Sequence, residues 1–150
     1  MFDPIERARG VREVLIPLIG AELPMALLTS PPQYAFFKNI IYQYGLSFWM
    51  TLSLLLTLWG MWVLRKSFSV MVEARVLVTC GPYRWIRHPI YAGEFFTIMA
   101  IFLLCFSRLN LVFFSLIVVI LLLRSYWEEE KLSRVFPDYK KWARTAWWFW

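Results

Sequence analysis

Residues 40–64 read Ile-Ile-Tyr-Gln-Tyr-Gly-Leu-Ser-Phe-Trp-Met-Thr-Leu-Ser-Leu-Leu-Leu-Thr-Leu-Trp-Gly-Met-Trp-Val-Leu, from Ile40 to Leu64, and Arg65 and Lys66 follow directly. No charged side chain interrupts the stretch. A helix needs about 20 apolar residues to cross the hydrocarbon of a bilayer, so this stretch reads as a membrane span closed on one side by two cations. A second uncharged run, Leu111–Leu123, points the same way. In water, a 150-residue chain would have more apolar surface in these runs than it could cover. Its composition agrees: 60% hydrophobic and 19% aromatic, with a mean hydropathy of +0.56, against roughly half apolar in soluble domains.

Outward from this span the chain divides into further helical units. Upstream, Val14 to Leu28 is apolar but holds Pro17, Glu22 and Pro24, a pattern that fits a kinked or re-entrant helix as well as a full span. Downstream, the apolar block from Tyr91 to Trp127 is interrupted at Ser107, Arg108, Leu109 and Asn110, which predicts a helical hairpin with a tight polar turn. Its first arm, Tyr91 to Phe106, would rise about 24 Å and must start near the interface or thin the bilayer locally. Its second arm can run from Leu111 through Arg124 and Glu128 to about Val135, where Pro137 stops it. Beyond that, Tyr139, Trp142, Ala143, Ala146, Trp147 and Trp150 recur at helical spacing opposite Lys140, Lys141 and Arg144, as in a basic amphipathic helix lying on a membrane.

The fold class predicted is therefore all-α: a polytopic membrane helical bundle with about four crossings, a late helical hairpin and a C-terminal amphipathic interfacial helix. Residues 1–150 read as a single domain, with a motif-bearing core at about 67–139.

The net charge of +6 does not imply nucleic acid, because the basic residues flank apolar runs instead of gathering on one polar surface. They concentrate in the N-terminal arm, the Arg65–Pro89 segment and the C-terminal tail, while Lys38 and Arg108 stand alone in the two remaining connections. Lys and Arg collect on the cytoplasmic side, so four crossings with both termini cytoplasmic satisfy every loop. Arg7, Arg9 and Arg12 precede the first apolar stretch, but Pro17 and Glu22 interrupt it and no small-residue cleavage site is visible, so no cleavable signal is expected. Cys80 and Cys105, one in a polar loop and one in an apolar run, suggest free thiols, with neither a disulfide framework nor a metal site.

Polar information is densest in residues 77–94, Leu-Val-Thr-Cys-Gly-Pro-Tyr-Arg-Trp-Ile-Arg-His-Pro-Ile-Tyr-Ala-Gly-Glu. Gly81-Pro82 makes a turn, Pro89 can start the next helix at its first position, and Gly93 permits close approach of another backbone or a ligand. A positive-inside connector meeting lipid phosphates would account for Arg84, Arg87 and His88 equally well. A second constellation, Arg124-Ser-Tyr-Trp-Glu128-Glu129-Glu-Lys-Leu132, sets Arg124 and Glu128 four apart, where they can pair on one helix face. Acidic Glu128 and Glu129 opposite Arg87 and His88 bring both signs of charge to one surface, which an anionic lipid surface alone does not call for.

Gly81-Pro82-Tyr83-x-x-x-Arg87-His88-Pro89-x-Tyr91-x-Gly93, then Arg124-x-x-x-Glu128-Glu129-x-x-Leu132 and Phe136-Pro137-x-Tyr139, closely resembles the isoprenylcysteine carboxyl methyltransferase family, with phospholipid N-methyltransferases as more distant relatives. The resemblance spans about Ser67 to Tyr139. It implies S-adenosylmethionine as cofactor, held on the cytoplasmic side by the loop, the hairpin and the following helix, and a lipophilic acceptor reached through the bilayer; neither metal nor nucleic acid is expected. The cofactor presents a carboxylate, an ammonium, a sulfonium and an adenine. The residue types here suit each: Arg87 and His88 for the carboxylate, Glu128 for the ammonium, Tyr83 or Tyr91 for the sulfonium, and the backbone of Leu77, Val78 and Gly81 for the adenosine. Methyl transfer is an in-line displacement that needs no covalent nucleophile. The candidate catalytic residues are Arg124, to orient a carboxylate acceptor, and Glu129, to take a proton from an amine acceptor; the sequence fits either. Sterol reductases with a related loop and hairpin bind a nicotinamide cofactor, and a non-enzymatic membrane protein would bind no adenosyl compound.

Overall fold

The structure, a computed structural model, describes residues 11–31, 39–64 and 77–148. The arm before Val11, Lys38, Arg65, Lys66, the beginning of the motif core at Ser67 and the terminal Trp150 lie outside the described residues. The described residues are helical apart from short connections, and they hold no strand beyond one isolated parallel bridge between Ile86 and Trp147. The protein is an all-α membrane helical bundle.

The chain enters through a π-helical turn, Val11–Leu15, continues as α1 (Ile16–Glu22) and tightens into a 3-10 helix, Leu23–Thr29. The change of winding has a local cause, since Pro24 carries no N–H to return to the carbonyl four residues back. This broken segment runs antiparallel to the last long helix. Gly20 lies against Ile120 and Arg124, while Ser30 reaches Ser107 and Asn110. The N-terminal segment is therefore kinked and lies along that helix from the level of Arg124 to that of Ser107.

The long span α2 (Ile40–Leu64) keeps the predicted bounds, and its 25 residues would rise about 37 Å. Three of its hydroxyls bond within the helix: Thr51, Ser53 and Thr57 donate to the carbonyls of Ser47, Trp49 and Ser53 at 2.8, 2.8 and 3.1 Å. Only Ser53 and Gly60 are buried, whereas Phe48 is 71% and Trp62 67% exposed. Large apolar side chains facing outward and small ones facing inward suit hydrocarbon as solvent.

The small face of α2 receives α3 (Pro89–Leu104) in antiparallel register. A Cβ on Gly93 would meet Thr57 and stand 2.9 Å from the Ser53 carbonyl oxygen, and one on Gly60 would stand 2.9 Å from Ile90. Farther along, the Trp49 indole donates to the Phe96 carbonyl at 3.0 Å. Helix α3 is 16 residues long, as short as expected.

The hairpin turn sits earlier than the sequence suggests. Helix α4 (Arg108–Val135) already includes Arg108, Leu109 and Asn110, because the Ser107 hydroxyl caps it by accepting the Asn110 amide at 3.0 Å. Asn110, fully buried, donates to the carbonyls of Leu27 and Cys105 at 2.9 and 2.6 Å. That ties the N-terminal segment to the hairpin. At the other end α4 stops at Val135, with the Phe136 amide closing on Leu132 at 2.8 Å before Pro137.

Two apolar clusters hold the bundle. Leu27, Ile98 and Ile117 join the N-terminal segment, α3 and α4 at the hairpin end. Ala92, Leu121 and Trp148 join α3, α4 and the C-terminal tail at the motif end.

The tail departs from the predicted twelve-residue helix. Helix α5 covers only Tyr139–Ala143, and the Thr145 hydroxyl and amide both close on the Trp142 carbonyl, at 2.7 and 2.8 Å. The chain then turns inward, burying Ala146 and Trp148 and leaving Trp147 exposed. The reason is competition for hydrogen bonds: the Trp147 backbone pairs with residues 85–87 and not with its own preceding turn.

Candidate cofactor and acceptor site

The site is built by a loop, two helix ends and the tail. Gly81 adopts a φ of +60°, and a Cβ there would also lie 2.8 Å from Val63 on α2, so both conformation and space require glycine. Pro82 begins a single 3-10 turn, Gly81–Arg84, in which the Trp85 and Ile86 amides donate to the Pro82 carbonyl at 3.1 and 3.0 Å. The turn buries the Tyr83 ring. The chain then extends, because Pro89 disfavours helical backbone at His88. The extended stretch is clamped by the tail: the Trp147 amide donates to the Trp85 carbonyl at 2.8 Å, and the Arg87 amide to the Trp147 carbonyl at 3.0 Å.

This clamp presents Arg87 and His88 to α4. Arg87 Nη1 donates to Glu129 Oε2 at 2.9 Å, and His88 Nε2 lies 3.0 Å from Glu129 Oε1. Glu128 Oε2 faces the other ring nitrogen at 3.8 Å, close enough for attraction but too far for a hydrogen bond. The imidazole stacks on Tyr91 at 5.4 Å and meets Trp148 at 4.9 Å. Trp148 is fixed in turn by donating to Ser125 Oγ at 3.2 Å.

Two phenols border the carboxylates. Burial, reinforced by the charge of Glu128, pushes the Tyr83 hydroxyl far above the usual tyrosine range. Burial and the charges of Glu129 and Glu128 do the same to Tyr139. Both stay protonated and offer donors, not bases.

Between the end of α4 and the tail lies a cavity of about 890 Å³, walled by Arg87, Glu129, Glu130, Tyr139, Trp147 and Trp148, with Lys140 and Arg144 also on its lining. Ligand pockets typically run about 300–1,000 Å³. A deeper charged pair stands inside the bundle, where Arg124 Nη1 is 3.9 Å from Glu94 Oε1 and the guanidinium lies over the Tyr91 ring at 5.1 Å.

Of the residues singled out by sequence, Arg87, His88, Tyr91, Glu128 and Glu129 come together, and Tyr83 is buried beside Glu128. Arg124 belongs to the deeper pair. Leu77 and Val78 are half-buried on the approach to the turn. Gly93 faces α2, so it serves helix contact. Glu94 and Trp148 are additions. Glu94 carried a signal, being the sole charged side chain of an apolar helix; Trp148 carried none, because it falls off the helical periodicity of the tail.

Residues 45–134 match the model of the isoprenylcysteine carboxyl methyltransferase family. The interval takes in most of α2, the Gly81–His88 loop, α3 and nearly all of α4, and so both members of each ion pair above. No curated protein and no solved structure matches the chain.

Proposed function

The chain belongs to the isoprenylcysteine carboxyl methyltransferase family, and from that premise we propose that it transfers a methyl group from S-adenosylmethionine to the carboxylate of a lipophilic, prenylcysteine-like acceptor. The observation that carries the reading is the convergence of Arg87 and His88, from one motif, on Glu129, from the other; Arg87 and Glu129 also line the neighbouring cavity.

The donor set fits a zwitterion bearing an adenine. Arg87 supplies a cationic donor and His88 a ring N–H for a carboxylate, and Glu128 supplies the anion for an ammonium. The backbone of Leu77, Val78 and Gly81 would meet the adenosine. The Tyr91 ring is already engaged by His88 and Arg124, so Tyr83 is the better aromatic neighbour for a sulfonium. When bound, the cofactor supplies an electrophilic methyl group. The chain's own contribution is alignment and exclusion of water, which suffice for a displacement in which charge is lost. The same carboxylates argue against a nicotinamide cofactor, whose pyrophosphate would face like charge.

The acceptor chemistry follows from what each candidate residue already does. Both oxygens of Glu129 are engaged, by Arg87 and by His88, so it acts as a positioning residue and not as a base for an amine. Arg124, inside the bundle, provides the cation that a lipid carboxylate needs. On this reading the acceptor's carboxylate meets Arg124 and its tail lies in hydrocarbon.

Two measurements on the detergent-solubilised protein test this. Calorimetry with S-adenosylhomocysteine should show saturable binding, and methyl label from the cofactor should enter base-labile esters of a total lipid extract. Absence of binding to folded protein rejects the cofactor; label appearing only in amines rejects the acceptor class.

A further inference from the structure

Arg124, buried, and Glu94, partly exposed, form a pair that cofactor binding does not explain. Glu94 is the sole charged side chain of α3, and Arg124 ends an uncharged run of α4 that begins at Leu109. Charge at this depth is costly and needs a reason. The guanidinium is well enclosed: its side chain is 7% exposed, its stem passes Gly20, whose added Cβ would stand 3.6 Å from Arg124 Cδ, and it lies over Tyr91.

The two members of the pair are held unequally. Glu94 is the more accessible, with its side chain 25% exposed, and its oxygen stands 3.9 Å from Arg124 Nη1. That is within Coulomb reach but beyond hydrogen-bond length. By contrast, Arg87 and Glu129 meet at 2.9 Å. Glu94 thus compensates the charge of Arg124 without a close bond through these atoms, an arrangement that a better-placed carboxylate can displace by making parallel N–H···O bonds.

Resting on the carboxylate reading above, we propose that Glu94 is a displaceable counter-ion: it compensates Arg124 while the acceptor is away, yields the guanidinium to the lipid carboxylate, and recovers it after methylation. In the transfer, an acceptor carboxylate oxygen forms the new bond to the methyl carbon as the carbon–sulfur bond breaks, and that bond's electron pair stays on sulfur. The acceptor changes from an anion to a neutral ester and the sulfonium to a neutral thioether, so charge balances with no proton moved. The ester has lost the charge with which it competed for Arg124, and the return of Glu94 promotes its release. Glu94 is thereby a specificity-determining residue that sets the cost of acceptor entry and the ease of product exit.

The test compares wild type, Glu94→Gln and Glu94→Asp in detergent, reading acceptor KM, inhibition by the methyl ester and S-adenosylhomocysteine affinity. Removing a like charge beside the incoming carboxylate should lower the acceptor KM of Glu94→Gln by about tenfold or more, strengthen inhibition by the ester, and leave cofactor-product affinity unchanged. Glu94→Asp, with its carboxylate farther from the guanidinium, should fall between. An unchanged or raised KM in Glu94→Gln with normal S-adenosylhomocysteine binding overturns the proposal. Should Glu94→Gln lose its fold, Glu94→Asp decides alone: a KM below wild type supports the displaceable role, and one at or above wild type rejects it. Failure of the wild type to methylate any lipid carboxylate would instead sink the underlying reading, and with it this one.

Discussion

His88 illustrates how few residues organise the site. Its ring stacks on Tyr91, touches Trp148 and meets both Glu128 and Glu129, so its removal unseats groups from a loop, two helices and the tail together. Loss of a charge-assisted contact costs about 1.5–3 kcal/mol. Glu128→Gln and His88→Ala should each weaken S-adenosylhomocysteine binding by about that amount, while Arg108→Ala, at the opposite end of α4, should not; calorimetry on the three variants checks it, and wild-type affinity in either of the first two removes that residue from the pocket. Asn110 is the counterpart for stability. With no exposed surface, it serves the Leu27 and Cys105 carbonyls at once, and Asn110→Leu would strand both. Each buried polar group left without a partner costs about 1–3 kcal/mol, so the variant should unfold at clearly lower temperature in detergent without a specific change in acceptor KM.

At the level of elements, the seam between α2 and α3 and the inward turn of the tail position everything else. Gly60 and Gly93 let α2 and α3 approach until side chain meets backbone, the kind of contact that drives helix association where lipid is as apolar as leucine. Gly93→Leu should force the helices apart and destabilise the bundle, which a detergent melting curve will register; an unchanged midpoint would mean that the seam is slack. The tail was legible as aromatic and basic, and its first turn does form a helix. Its last residues do not follow the periodicity, because the backbone of residues 85–87 offers Trp147 partners and the surroundings of His88 bury Trp148. Truncation after Pro137 should lower S-adenosylhomocysteine affinity while leaving membrane insertion intact, since the crossing segments all lie upstream, and Trp148→Ala should reproduce part of the loss. Equal affinity at equal folded fraction would reduce the tail to an anchor.

For the molecule as a whole, the helical segments alternate in direction, so the loop at residues 77–88 and the tail share one end while the α3–α4 turn and Ser30 share the other. The excess of Lys and Arg at the first end predicts that it faces the cytoplasm. Cys80 is exposed and Cys105 buried, so an impermeant maleimide should label Cys80 only after intact cells are permeabilised, as it should a cysteine placed at Lys140; ready labelling from outside would invert the arrangement. By itself the sequence determined the helices, their approximate ends and the order of the two motifs. It could do so because hydrocarbon offers the backbone no hydrogen bonds, so each crossing segment must satisfy itself locally and its composition declares it. The choice of partners was decided only in three dimensions: Glu129, not Glu128, takes both Arg87 and His88, Glu94 takes Arg124, and Trp148 comes to lie on His88. One step along a helix turns a side chain by about 100°. Which of two neighbouring glutamates meets a residue some 40 positions away therefore depends on how the packed helices are rotated and staggered, and the small-residue seams and the tail's clamp set that only once the bundle has closed.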